Sequence, residues 1–240
     1  MTWSAYLRGD ADDLHALGDQ FGSGDVVVEQ HGDEWALTSP RWTRDVDLAV
    51  IRNEAGLLVR RLDGVGRMLD PDFGGVELVG RYTDGTGTHL VITVDGIASR
   101  ARVGTATIVV TDADGNVVPP PTPPPPVAPT YVRLAERNAD VDEVLGVFAQ
   151  SPSLGWVELY KVFEIVRADV GGDNRLSGSG LALPVEISAF RASACLPSVS
   201  GSAARHARAS GGVPKRTMTI DEGRRFVRRL VAAWLERLSS

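Results

Sequence analysis

The residue pattern of this 240-residue chain predicts an α+β fold: an N-terminal mixed α/β domain built on an antiparallel sheet, a proline-rich linker and a C-terminal all-α helical bundle. Three observations carry that reading. Pro119–Pro129 holds eight of the fourteen prolines. Such a run excludes helix and central strand, because each ring fixes φ and removes a backbone donor. It favours polyproline II, a stiff spacer of roughly 3 Å per residue. Before it, apolar residues alternate in period two between turn signals; after it, they recur at helical spacing. The implied division is 1–118, 119–130 and 131–240, with the linker expected to hold apart two bodies that each bury their own core.

Each element follows from its local pattern. Leu14, Leu17 and Phe21 predict a helix over 12–21, stopped by Gly22-Ser23-Gly24. A hairpin follows, with strands over 25–30 and 34–38 around His31-Gly32-Asp33. A second helix is expected over 43–62, its end marked by Asp63-Gly64. Strands over 76–83 and 88–95 flank the loop Asp84-Gly85-Thr86-Gly87, and two more are expected over 97–103 and 105–111. The first two helices should cover one face of this sheet.

Beyond the prolines, helices are expected over 141–150, 154–170 and 186–194. The glycine-rich stretch 171–180 between the last two reads as a mobile loop. A short helix is expected over 201–207. In the final helix, Thr219 and Glu222 form a capping box. Phe226, Val227, Leu230, Val231, Trp234, Leu235 and Leu238 make its apolar stripe, opposite Arg224, Arg225, Arg228 and Arg229.

Composition narrows the function classes. No stretch approaches the roughly 18 apolar residues of a membrane span, and the first residues lack the basic and apolar regions of a secretory signal. A single cysteine, Cys195, excludes an internal disulfide and fits the cytoplasm. The arginine-rich basic set, with only Lys161 and Lys215 as lysines, suggests a GC-rich bacterial genome. Charge is divided unevenly within the net −6: residues 1–118 carry 10 Arg against 19 Asp and Glu, whereas from Arg175 onward 11 basic residues face 4 acidic ones. A basic tail of this kind suits phosphate, an acidic partner, or the acidic first half of the same chain.

Phosphate-loop, dinucleotide, zinc-protease and serine-hydrolase signatures are absent. Asp112–Asn116 resembles the opening of a calcium loop, but it lacks the third ligand position and the distal glutamate and reads as a turn. Cys195 and His206 have no orienting carboxylate or oxyanion element beside them and suggest no thiol nucleophile. Glu158, Lys161 and Glu164, spaced by three, read as charge pairing on a helix side. Trp35 and Trp42 read as core residues. No metal site or cofactor is expected.

The segments Leu159–Glu164, Phe190-Arg191, Gly201 with Arg205-His206-Ala207, and Pro214 with Met218–Glu222 are similar to uncharacterised bacterial proteins with a small C-terminal helical domain. That domain resembles HEPN domains, helical bundles in which an arginine and a histidine cut RNA, typically across a dimer interface. The resemblance covers about 154–238. It implies Arg205 and His206 as catalytic residues, a homodimer through the helical domain, and an RNA-binding or RNA-cleaving effector of a defence or toxin-type system. Histidine suits proton transfer at a ribose hydroxyl because it titrates near neutrality. Arg191, Arg208, Lys215 and Arg216 would contact RNA or a partner. The leading expectation from the residues themselves is a cytoplasmic two-domain binding or adaptor protein with a protein partner and no membrane contact. The RNA effector is the alternative, and no motif decides whether the chain is an enzyme.

Overall fold

The computed structural model describes residues 2–91, 126–208 and 214–240. The strands expected over 97–103 and 105–111, the Asp112–Asn116 turn and the prolines 119–125 lie outside them. Within the described residues the chain is α+β, with one antiparallel sheet before the prolines and helices after them.

The sheet has β1 (Thr2–Gly9) at its centre, then in chain order β2 (Val27–His31), β3 (Glu34–Thr43), β4 (Val76–Thr83) and β5 (Thr88–Leu90), arranged β2-β3-β1-β4-β5. All four pairings are antiparallel. The central strand has no counterpart among the expected elements. Its buried positions Trp3, Ala5 and Leu7 alternate, but three positions at the very start of the chain make a short signal. Of the strand expected over 88–95, β5 ends at Leu90 and Val91 follows outside it, while 92–95 fall outside the described residues.

Helix α1 (Ala11–Gln20) begins at Asp10, whose carboxylate accepts the Asp12 amide at 3.0 Å. Helix α2 (Leu48–Leu69) begins at Asp47, which accepts the Ala49 amide at 2.7 Å. Register places both helices on one face. Leu7 is opposite Trp35, against which Gly18 of α1 packs, and Ala5 is opposite Tyr82, which faces Arg52 of α2. Trp42 is buried, and its indole N–H donates to Glu54 at 2.7 Å. It is a core residue, as expected.

The second helix differs from expectation at both ends. It starts later, at Leu48, and runs through Asp63-Gly64 to Leu69. Gly64 is not a stop signal but a point of close packing: an added Cβ would lie 2.8 Å from the carbonyl carbon of Leu145 and 2.9 Å from its Cβ. Leu145 belongs to the other half of the chain.

That half comprises α3 (Ala128–Ala135), α4 (Ala139–Gln150), α5 (Trp156–Val170), α6 (Asp173–Gly178), α7 (Pro184–Cys195), α8 (Pro197–Ser200), a 3-10 turn (Gly201–Ala203) and α9 (Ile220–Ser239). Phe190 of α7 is its packing centre, with its ring centroid 5.1–6.2 Å from those of Trp156, Tyr160, Phe163 and Phe226. The capping box of α9 is present: Thr219 Oγ1 accepts the Glu222 amide at 3.2 Å, and the Glu222 carboxylate accepts the Thr219 amide at 2.7 Å.

Two expectations fail here for tertiary reasons. The stretch 171–180 is not a loop, because Leu176 is fully buried and pulls Asp173–Gly178 into a helical turn. The helix expected over 201–207 is a 3-10 turn ending at Ala203, followed by extended backbone at Ala204. Three of the four arginines of α9 bond to other elements while Arg225 is exposed: Arg224 donates to Leu154 O at 2.9 Å, Arg228 to Arg67 O at 3.3 Å, and Arg229 pairs with Glu186 at 2.7 Å.

The two halves are not held apart. Helix α2 packs directly on α4, and one hydrophobic core continues from Trp3 through Leu62 and Leu145 to Trp234. Polar contacts frame the junction. Arg61 reaches Asp142 at 2.8 Å, and Arg41 reaches Glu136 at 2.7 Å. Gly64→Ala is therefore expected to cost about 3 kcal/mol, since a rigid backbone neighbour must shift. Gly56→Ala, on the same helix with open space around it, should gain about 0.5–1 kcal/mol from helix propensity. Urea midpoints of the two variants check both signs.

Candidate functional site

The predicted site residues collect at the C-terminal end of α7. Its last turn carries Ser193 and Ala194, both fully buried, and these two neighbours fasten both ends of the segment that follows. The Arg205 amide donates to Ala194 O at 2.7 Å, and the Met218 amide donates to Ser193 Oγ at 2.7 Å. Ser200 Oγ also donates to Ser193 O at 2.5 Å. The chain from Arg205 to Met218 thus leaves and returns at one point. Between those ends lie Arg205, His206, Arg208, Lys215 and Arg216 and no carboxylate. Residues 209–213 of this segment lie outside the described ones.

Arg205 is seated rather than extended. Its guanidinium carbon lies 4.3 Å above the Tyr160 ring, and Nη1 is 3.0 Å from Glu164. A cation over an aromatic face gains electrostatic attraction that grows as water is excluded. Tyr160 in turn stacks on Phe190 at a centroid distance of 6.2 Å and an interplanar angle of 8°. Burial pushes the Tyr160 phenol above its usual range, and the adjacent Cys195 thiol pushes the same way. The base of the basic loop therefore rests on the helical core itself.

Arg191 lies on the same side of the bundle and also acts on Tyr160. It bonds Asp173 at 2.7 Å, and Arg167 bonds the same carboxylate at 2.5 Å. That bond is the leading reason Arg167 is held more firmly charged than usual. A cleft of about 420 Å³ opens beside Arg191, lined by Asp173, Asn174, Ser177, Pro184, Ile187 and Ser188. Arg208, Lys215 and Arg216 are exposed, and among the described residues none of them sits in an ion pair. His206 is exposed next to the seated Arg205.

The structure thus brings Arg191 and Arg205 together around Tyr160, and it carries His206, Arg208, Lys215 and Arg216 on the fastened loop. Sequence reasoning missed Ser193, Tyr160 and Glu164 as the residues that hold this arrangement. Tyr160 reads as one more apolar helix position. Glu164 reads as a partner for Lys161, yet Lys161 pairs with Glu143 at 2.8 Å and Glu158 accepts the Gly155 amide at 3.0 Å. Nothing local in the sequence points to Ser193.

A larger groove of about 1000 Å³ lies on the other half, between α2 and the β4 edge, and no predicted site residue lines it. Among its polar groups, Arg8 pairs with Glu77 at 2.8 Å, and Glu54 accepts the Trp42 indole N–H. Among the described residues no cluster of His, Cys, Asp and Glu is arranged to hold a metal ion, and no helix is long and apolar enough to cross a membrane. No protein-family model, curated protein or solved structure matches the chain.

Ser193→Ala removes the acceptor of the Met218 amide inside the bundle. The expected cost is about 1–2 kcal/mol for the orphaned donor, with hydrogen exchange at Met218 accelerating more than at Arg205. Amide exchange combined with a urea midpoint measures both.

Proposed function

We propose that the protein is a cytoplasmic binding or adaptor protein that docks an acidic segment of a protein partner on the loop between Arg205 and Met218. The observation that supports this reading is the contrast between the loop's base and its cations. The base is fastened at Ser193 and Ala194, while Arg208, Lys215 and Arg216 are exposed and form no close ion pair among the described residues, Arg216 acting on Glu222 only through space. A loop fixed at both ends loses less freedom when a partner orders it. Exposed cations steer an acidic partner and set its orientation more than they add affinity. The chain's net charge of −6 favours a short acidic segment over a long polyanion, which the remaining surface would repel.

A second reading, a HEPN-like RNA-binding or RNA-cleaving effector acting as a homodimer, draws on exposed His206 beside Arg205. Against it stand two facts. Arg205 is engaged by Glu164 and Tyr160, and it is adjacent to His206 where the HEPN pattern separates the two.

One experiment tests both readings. A labelled oligo-glutamate peptide and a single-stranded RNA are titrated against the full chain and against the R208A/K215A/R216A variant, at 50 and 300 mM salt. The expected result is peptide binding that weakens about tenfold or more in the variant and again at the higher salt, with the RNA left intact. Equal peptide affinity in both proteins refutes the docking site. RNA cut by the unmodified chain and spared by His206→Ala establishes the second reading instead.

A further inference from the structure

A second polar site lies at the junction of the halves, away from the basic loop. Asp63 and Arg67 are one turn apart on α2, facing the connection that leads into β4. Asp63 Oδ1 accepts the Val76 amide at 2.8 Å. Asp13 Oδ2, from α1, accepts the Gly74 amide at 2.8 Å and the Gly75 amide at 3.3 Å. Three successive amides are thus held by two carboxylates from two helices.

Arg67 ties the same connection to the helical half. Nη2 donates to Gly74 O at 2.6 Å, Nη1 donates to Ala149 O at the end of α4, and its own carbonyl accepts from Arg228 of α9. It stands 4.0 Å from Asp63. These groups are withdrawn from water: Asp13 is 1 % exposed, and the side chains of Arg67 and Asp63 are 11 % and 15 % exposed. Other charges face the cluster. Glu77 on β4 acts on Asp63, and Asp70 and Asp72 act on Arg228, which also feels Arg224. On α4, Asp142 is turned to Arg60 and Arg61.

A carboxylate withdrawn from water and facing further negative charge, as Asp63 faces Asp13 and Glu77, does not ionise at its ordinary pH. We propose that Asp63 is a proton-binding joint, which holds a proton in mildly acidic solution and thereby tightens the seat of the Asp70–Val76 connection between sheet and helices. With that proton on Asp63, the carbonyl oxygen still accepts the Val76 amide. The repulsion from Asp13 and Glu77 is removed, while Arg67 keeps its two carbonyl acceptors.

The direction of the linkage follows from where the proton is held more tightly. Burial foremost raises Asp63 from its ordinary 3.8 to about 6, with the Val76 amide and Arg67 opposing that shift and Asp13 and Glu77 adding to it. Between those two values the folded chain binds more protons than the unfolded one. Stability from this group therefore grows as pH falls from about 7 toward 4 and is lost as pH rises through the folded value. Carboxylates engaged in simple ion pairs behave in the opposite way.

The test compares urea midpoints of the full chain and of Asp63→Asn between pH 5 and pH 8. The expected difference between the two curves is about tenfold in the folding constant across that window, with the variant resembling the unmodified chain at its acidic end. In the unmodified chain, the Val76 amide resonance should titrate with a midpoint near 6. Parallel curves, or a Val76 resonance that stays still between pH 5 and pH 7, overturn the proposal. Should Asp63→Asn fail to fold, the Val76 titration decides alone.

Discussion

The close approach of α2 and α4 at Gly64 and Leu145 is the constraint on which the rest of the structure depends. Without a side chain at Gly64, the two backbones come into direct contact, and the apolar faces on either side merge into one core. The helices could not sit this close with a methyl group between them. Once they do, Arg60 and Arg61 lie within reach of Asp142, and Arg67 within reach of the end of α4. The polar frame of the junction is therefore a consequence of the apolar contact. Exposed pairs in such a frame add little stability of their own, but Arg67 is mostly buried, and removing one partner there would leave a charge or a carbonyl without compensation.

Arginine does most of the bridging because its planar fork reaches carbonyl oxygens as readily as carboxylates. Arg67, Arg224 and Arg228 all bond backbone carbonyls across elements. Arg167, Arg191, Arg205 and Arg229 are taken by Asp173, Glu164 and Glu186. Most of the positive charge in the last third of the chain is thus structural. Arg175, Arg225 and Arg237 stay exposed elsewhere on the helices, and Arg208, Lys215 and Arg216 stay exposed together on the segment that α7 fastens at its base.

The joint at Asp63 and the loop at Ser193 share one design. Each uses a buried acceptor to catch amides of an irregular segment where two elements meet, so that a connection with no repeating hydrogen bonds of its own is held as firmly as its neighbours. At Ser193 the acceptor is a neutral hydroxyl. At Asp63 it is an acid close to another acid, which makes the hold responsive to pH.

The sequence alone determined the α+β class, the hairpins and the long helices. Each of those rests on a periodicity or a cap that is complete within ten to twenty residues. The capping box at Thr219 and Glu222 and the stripe Phe226–Leu238 needed no partner to be recognised, and the basic, carboxylate-free segment from Arg205 to Met218 was likewise open to reading. Tertiary structure decided what depended on a neighbour distant in the chain. It turned Gly64 from a stop into a contact, drew Leu176 into the core as a helical turn, put Thr2–Gly9 at the centre of the sheet, and gave Tyr160, Glu164 and Ser193 their work around Arg205. Local pattern records what a segment prefers, whereas burial and hydrogen bonding across 25 to 161 residues are settled only when the packed partners meet.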